Sequence, residues 1–161
     1  MKEYIHYGHK YFDINLFNKI KNVHLWTKPS GGLWASPVDA EWGWKDYCDS
    51  EQFRDCNKDN CFKFTLTKNA RVFHIYNVKD LGKLPKQYLR PEDYTSIIDK
   101  YILDFECISN SGDYDAIELH LSEETDIPDG HLQGLYYALY GWDCDSILIM
   151  NPDIIVPNYK M

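Results

Sequence analysis

The run Cys144-Asp-Ser-Ile-Leu-Ile-Met150, closed by Asn151-Pro152, is the plainest strand in the chain, and it sets what the rest must supply. A strand needs partners for its backbone N–H and C=O groups, and the remaining candidates must supply them. Glu3 to Tyr7, ended by Gly8, reads as a first strand and Leu33 to Ser36 as a second. Cys61 to Thr67 puts Phe62, Phe64 and Leu66 on one face. Arg71 to Val78 follows after an Asn69-Ala70 turn, a pattern that predicts a hairpin. Tyr114 to Leu121 holds a further strand, and Ile154 to Val156 a last short one. Helices are predicted over Ile14 to Lys21, over Val38 to Tyr47 with Pro37 at the first turn, over Glu92 to Leu103, and over Gly130 to Tyr140 with Gly141 as C-terminal cap. Lys28 to Gly32 and Asp49 to Asn60 read as loops, and Lys79 to Lys86 as a loop or single turn. No repeat, low-complexity tract or linker interrupts the pattern, so residues 1–161 read as one α+β domain.

Charge narrows the partners. There are 17 Lys and Arg against 25 Asp and Glu, a formal net charge of −8. An acidic chain lacks the field that draws nucleic acid or an anionic membrane. Basic rims are confined to Lys19, Lys21 and Lys28, or Lys83, Lys86 and Arg90. The five cysteines are odd in number, no leader is evident before the polar residues Lys2, Glu3 and His6, and no window is long enough to span a membrane. The expectation is a cytoplasmic protein with reduced thiols and no membrane partner. Cys48, Cys56 and Cys61 lie close in sequence but lack paired C-x-x-C spacing, so no metal site is expected there. G-x-S-x-G and G-x-x-x-x-G-K-[ST] are both absent, which argues against a triad hydrolase and a P-loop enzyme.

The chemistry concentrates in Gly31-Gly32-Leu33-Trp34-Ala35-Ser36-Pro37 and the aromatic stretch to Cys48, with Trp42, Trp44 and Tyr47. Glycines permit close backbone approach and aromatics offer flat faces. Together they suggest a pocket for a planar heterocycle.

Three segments, in order, resemble the ADP-ribosyltransferase superfamily. The first is Ile5-His6-Tyr7-Gly8 with Phe12-Asp13. The second is Gly31 to Ser36 with Ala40 and Tyr47-Cys48, similar to the poly(ADP-ribose) polymerase branch. The third is Tyr114-Asp-Ala-Ile117 with Asp145 to Ile154, similar to the family's closing pattern of an acidic residue, four apolar residues, Asn or Asp, Pro and a final Ile. The resemblance implies a split antiparallel β-sheet core with a few flanking helices, NAD as substrate, and transfer of ADP-ribose to a macromolecular acceptor, protein or nucleic acid. A single small domain of this kind suits bacterial or phage conflict.

The resemblance also implies roles. His6 would meet the adenosine-side ribose, and Gly8 would present its backbone to the nicotinamide carboxamide. An ungapped match on Gly8 puts Tyr7 where the family has its His. Gly32 belongs to the glycine segment, and Trp34 stands for a Tyr near the nicotinamide, with Trp44 or Tyr47 closing the other face. Ser36 would bond the ribose. Each has a plainer alternative: His6 satisfied by a neighbouring carbonyl, the aromatics as core, Ser36 as a helix cap. The expected catalytic Glu falls on Ser146, leaving Asp145, then Glu118, then Asp143 as candidate carboxylates. A degenerate relative that binds a nucleotide or protein partner is the competing expectation, and an inhibitory protein with an acidic, aromatic surface is a third.

Overall fold

The computed structural model describes residues 1–23, 28–88, 101–121 and 138–158. Nine strands are described: β1 Glu3–Tyr7, β2 Leu33–Pro37, β3 Cys61–Leu66, β4 Val72–Ile75, β5 Lys86–Tyr88, β6 Tyr101–Leu103, β7 Ala116–Leu119, β8 Ser146–Ile149 and β9 Ile155–Pro157. Two α-helices accompany them, α1 Trp44–Glu51 and α2 Phe105–Ser111. Seven strands form one sheet in the order β4-β7-β8-β2-β1-β3-β9, and β5 pairs with β6 separately. All pairs in the large sheet are antiparallel except β4 with β7. The protein is therefore a mixed α+β fold on a large, mostly antiparallel sheet.

β2 is where this sheet changes hands. Its first residues, Leu33 to Ala35, pair with Ile149 to Ile147 of β8, while Ser36 and Pro37 pair with Ile5 and Tyr4 of β1. The sheet opens between β1 and the start of β2, and the His6 ring bonds the Trp34 carbonyl there.

Strand periodicity sorts the core into two faces. Phe73, Ile75, Ile117, Leu119 and Leu148 point to one face, where Leu81, Leu103, Phe105, Ile108 and Trp142 cover them. Tyr4, Ala35, Phe62, Phe64, Ala116, Ile147 and Ile149 line the other. Val72 of β4 and Leu66 of β3 come from distant positions in the strand order, yet both pack into this second cluster. Side chains stand roughly perpendicular to a sheet, so this face must be the inside of a strong curl.

Several local expectations are corrected. β3 and β4 do not form a hairpin: β3 pairs with β1 and β9, and β4 lies beside β7. The alternation of Phe62, Phe64 and Leu66 does mark β3, but a short turn after it does not specify its partners. The helix over Ile14 to Lys21 reduces to one 3-10 turn, Ile14–Leu16, started by the Asp13 carboxylate. The helix over Val38 to Tyr47 begins at Trp44, where the Asp46 carboxylate accepts the Gly43 N–H and Ser36 Oγ accepts the Trp44 N–H. Most of Glu92 to Leu103 lies outside the described residues, and its last three residues are β6 rather than helix. Gly130 to Tyr140 also lies outside them, except for a turn at 138–140.

Candidate functional site

β1, β2, β7 and β8 carry the three segments of the sequence resemblance, and they stand side by side in the sheet in the order β7-β8-β2-β1. Neighbouring residues on a strand face opposite ways, so the candidate residues divide between the two faces.

His6 lies on the curled inner face, its ring 5.2 Å from that of Phe62. Its Nδ1 donates to the Trp34 carbonyl at 2.7 Å, and its Nε2 lies 3.1 Å from Nδ1 of His9. The carbonyl can only accept, so it places the proton of a neutral His6 on Nδ1 and leaves Nε2 to accept from His9. Burial lowers the His6 pKa, against the opposing effect of the Trp34 bond. The Gly8 N–H donates to the Asn60 carbonyl at 2.9 Å. Gly31 and Gly32 have positive φ and press on the protein's own backbone. A Cβ at Gly31 would lie 2.1 Å from the Lys19 carbonyl oxygen, and one at Gly32 would lie 2.6 Å from that of Ile149. Close backbone approach does explain this glycine pair, but what approaches is protein.

Tyr7 points the other way, among Cys56, Cys61 and Lys45, and burial raises its pKa. On this outer face the aromatic residues of the sequence reading meet. The Nζ of Lys28 sits 4.7 Å from the Trp34 ring centre and 5.6 Å from that of Trp44. Trp44 stacks on Tyr47 at 5.6 Å, and Trp34 is held edge-on by Trp142 at 4.6 Å. Burial lowers the Lys28 pKa, while Cys144 and Asp143 oppose that shift. Burial likewise pushes the Cys144 thiol up to about 11. Ser36 Oγ accepts the Trp44 N–H at 2.9 Å, satisfying one of the donors left open at the start of α1. Together these groups make an aromatic cleft that already holds a cation.

The candidate carboxylates separate clearly. Trp42 ties down the acidic loop: its indole N–H donates to the Asp143 carbonyl at 3.0 Å, and its own carbonyl accepts the Asp145 N–H at 2.9 Å. Asp145 is buried, and its charge acts on Cys144 at the cleft. Ser146 is buried opposite Leu119. Glu118 lies on the inner face, away from the aromatic cleft and completely buried. Tyr4 OH donates to its Oε2 at 3.1 Å, an arrangement that raises the Tyr4 pKa through burial and then through the Glu118 charge. The Nζ of Lys2 stands 2.7 Å from Oε1 as an ion pair, at an angle that makes no hydrogen bond. His74 Nδ1 and His120 Nε2 lie 3.4 and 3.9 Å from Oε2.

Sequence reasoning missed His74 and His120. Glu118 and His120, two residues apart at the end of a strand, were the available sign that both reach one face. His74 joins them only through the β4–β7 pairing, which sets it opposite Glu118.

Comparison with protein-family models, curated proteins and solved structures finds no match for the chain. Among the described residues, no helix is long and apolar enough to cross a membrane.

Proposed function

We propose that the aromatic cleft takes the nicotinamide end of NAD, and that the protein is a mono-ADP-ribosyltransferase acting on a macromolecular acceptor through an ADP-ribosyltransferase-type split sheet. The carrying observation is the cation already held by the cleft, the Lys28 ammonium over Trp34 and Trp44. The nicotinamide ring of NAD is itself a planar cation, and in this reading it takes the place of the Lys28 ammonium on the indole faces, which attract it by the same electrostatics. The adjacency of β1, β2 and β8 supports this reading as well.

The reaction breaks the bond between nicotinamide and ribose through a sugar cation. The protein's work is then positioning and charge stabilisation. Trp34, Trp44 and Tyr47 hold the leaving ring. Asp145 is the carboxylate nearest in sequence to the expected position, and in this reading its role is to stabilise positive charge developing on the ribose, as carboxylates do in glycosidases. Glu118 is set aside for this role because Tyr4 and Lys2 already occupy its two oxygens.

Incubation with NAD should release nicotinamide, and Asp145→Ala should abolish the release while Glu118→Gln leaves it. A second reading, a degenerate relative that binds nucleotide without transfer, is favoured by Ser146 at the expected glutamate position. Calorimetric NAD binding with no nicotinamide release selects that reading. Absence of NAD binding refutes both.

A further inference from the structure

The geometry points to a second site, on the inner face of the sheet: His74, Glu118 and His120 form a three-ligand site for a divalent transition-metal ion of the zinc class. It shares no residue with the aromatic cleft and stands or falls independently of the NAD reading.

Three donor atoms carry the inference; without metal the two imidazole nitrogens share a hydrogen bond, whose proton an incoming ion displaces. His74 Nδ1 lies 3.0 Å from His120 Nε2 and 3.4 Å from Glu118 Oε2, and His120 Nε2 lies 3.9 Å from the same oxygen. A triangle with those sides has a circumradius of about 2.0 Å, so one point in its plane lies that far from all three atoms. Zinc takes imidazole nitrogen and carboxylate oxygen at about 2.0–2.2 Å. The spacing within the triad is that of ligands around one ion, and the donor set of two imidazoles and a carboxylate suits that class of metal.

The surroundings hold the donors in place. β4 and β7 set His74 opposite Glu118. The Tyr76 ring stacks on His120 with centroids 4.1 Å apart and planes 14° apart, fixing the plane of the imidazole. Tyr4 donates to Oε2, and Lys2 stands at Oε1. The carboxylate thus directs a single oxygen toward the two histidines. Outer partners of this kind orient metal ligands and tune their affinity. Three protein ligands leave a coordination position for water or substrate, as in catalytic zinc sites. The His74 side chain is 42% exposed and provides a route in from solvent. None of the five cysteines belongs to the group.

The test uses the full chain with thiols reduced, stripped with a chelator and dialysed. Zn²⁺ is titrated by calorimetry, and Co²⁺ is used as a spectroscopic probe. We expect one equivalent of Zn²⁺, and a Co²⁺ ligand-field spectrum without a thiolate charge-transfer band. His74→Ala should weaken Zn²⁺ binding more than about 100-fold, beyond the usual cost of losing an outer partner. His74 is at the surface, so this variant should keep the metal-free melting temperature of the parent; His120→Ala gives a second ligand deletion. Tyr4→Phe should weaken binding by about 10- to 100-fold. The inference is overturned by no Zn²⁺ binding to the parent protein, by a thiolate band, or by unchanged affinity in a folded His74→Ala protein.

Discussion

Replacing Asp115 with alanine should destabilise the fold by roughly 3–6 kcal/mol at neutral pH, through hydrogen bonds to a charged group. Asp115 is 4% exposed, just ahead of β7. Its carboxylate accepts the Arg71 N–H at 2.9 Å, Arg71 Nε and Nη2 at 3.1 and 3.0 Å, and Asn151 Nδ2 at 2.9 Å. Its backbone carbonyl takes the N–H groups of Met150 and Asn151. One residue therefore joins the entry to β4, the start of β7 and the exit from β8. Bonds to a charged acceptor contribute about 1.5–3 kcal/mol each. The guanidinium pair is discounted, because the Arg71 side chain is 56% exposed and can turn to water. The backbone bond from Arg71 and the side-chain bond from Asn151 remain, and they set the figure above.

The same residue predicts a pH dependence. The Arg71 hydrogen bonds, opposed by desolvation and helped by Asn151, hold the Asp115 pKa at about 2, below its ordinary 3.8. The folded carboxyl binds a proton less readily than the unfolded one, so stability rises with pH between those values. The contribution is complete above about pH 4 and is lost as pH falls through about 2. It amounts to about 1–2 kcal/mol once solvent screening at Arg71 is allowed for. Urea denaturation of parent and Asp115→Ala proteins at pH 7 and at steps from pH 5 to pH 2 reads both effects. The gap between the two should narrow as pH falls. A gap below about 1 kcal/mol at pH 7, or one constant from pH 5 to pH 2, refutes the reasoning.

Four further outcomes follow from the same geometry. Gly31→Ala must move the Lys19 carbonyl and strain a φ of +82°, so its urea midpoint should fall by the equivalent of more than about 2 kcal/mol. Ser36→Ala leaves the first N–H of α1 without its acceptor, costing about 1 kcal/mol and a few degrees in thermal melting. Tyr4→Phe takes a donor from a fully buried carboxylate and should cost about 1–3 kcal/mol in urea denaturation. Trp44→Ala removes one face of the cation-holding cleft and should weaken calorimetric NAD binding by about tenfold, the loss of roughly 1–2 kcal/mol of cation–π attraction.

Much of the strand content was legible because local chemistry decides it. Gly8 stops β1, Pro37 ends β2, and Asn151-Pro152 closes the stretch after β8, with the Asn151 side chain accepting the Asp153 N–H. Partner choice was not legible. Phe62, Phe64 and Leu66 declare a buried face, but nothing in them specifies that β1 and β9 will flank β3. Val38 to Trp42 also misled: the segment permits a helix, yet the bonds of Asp46 to Gly43 and of Ser36 to Trp44 start one later. The aromatic cleft was half legible, since Trp34, Trp44 and Tyr47 do gather. Lys28 at its centre was visible beforehand only as a member of a basic rim. The His74–Glu118–His120 group was hidden, because parallel pairing of β4 and β7 creates it and no sequence spacing encodes that pairing.

The divided pairing of β2 has a kinetic side. Within the large sheet, only β1–β2 and β7–β8 join strands that follow one another among the described elements, and neither is a tight hairpin. β2 finishes its ladder only on meeting β8, and β3 covers its second edge only on meeting β9. Each closure carries an entropic cost before any contact rewards it, which sets refolding in the millisecond-to-second range typical of non-local β topologies. During synthesis the first three strands leave the ribosome with edges open, and they stay open until the last strands of the chain arrive.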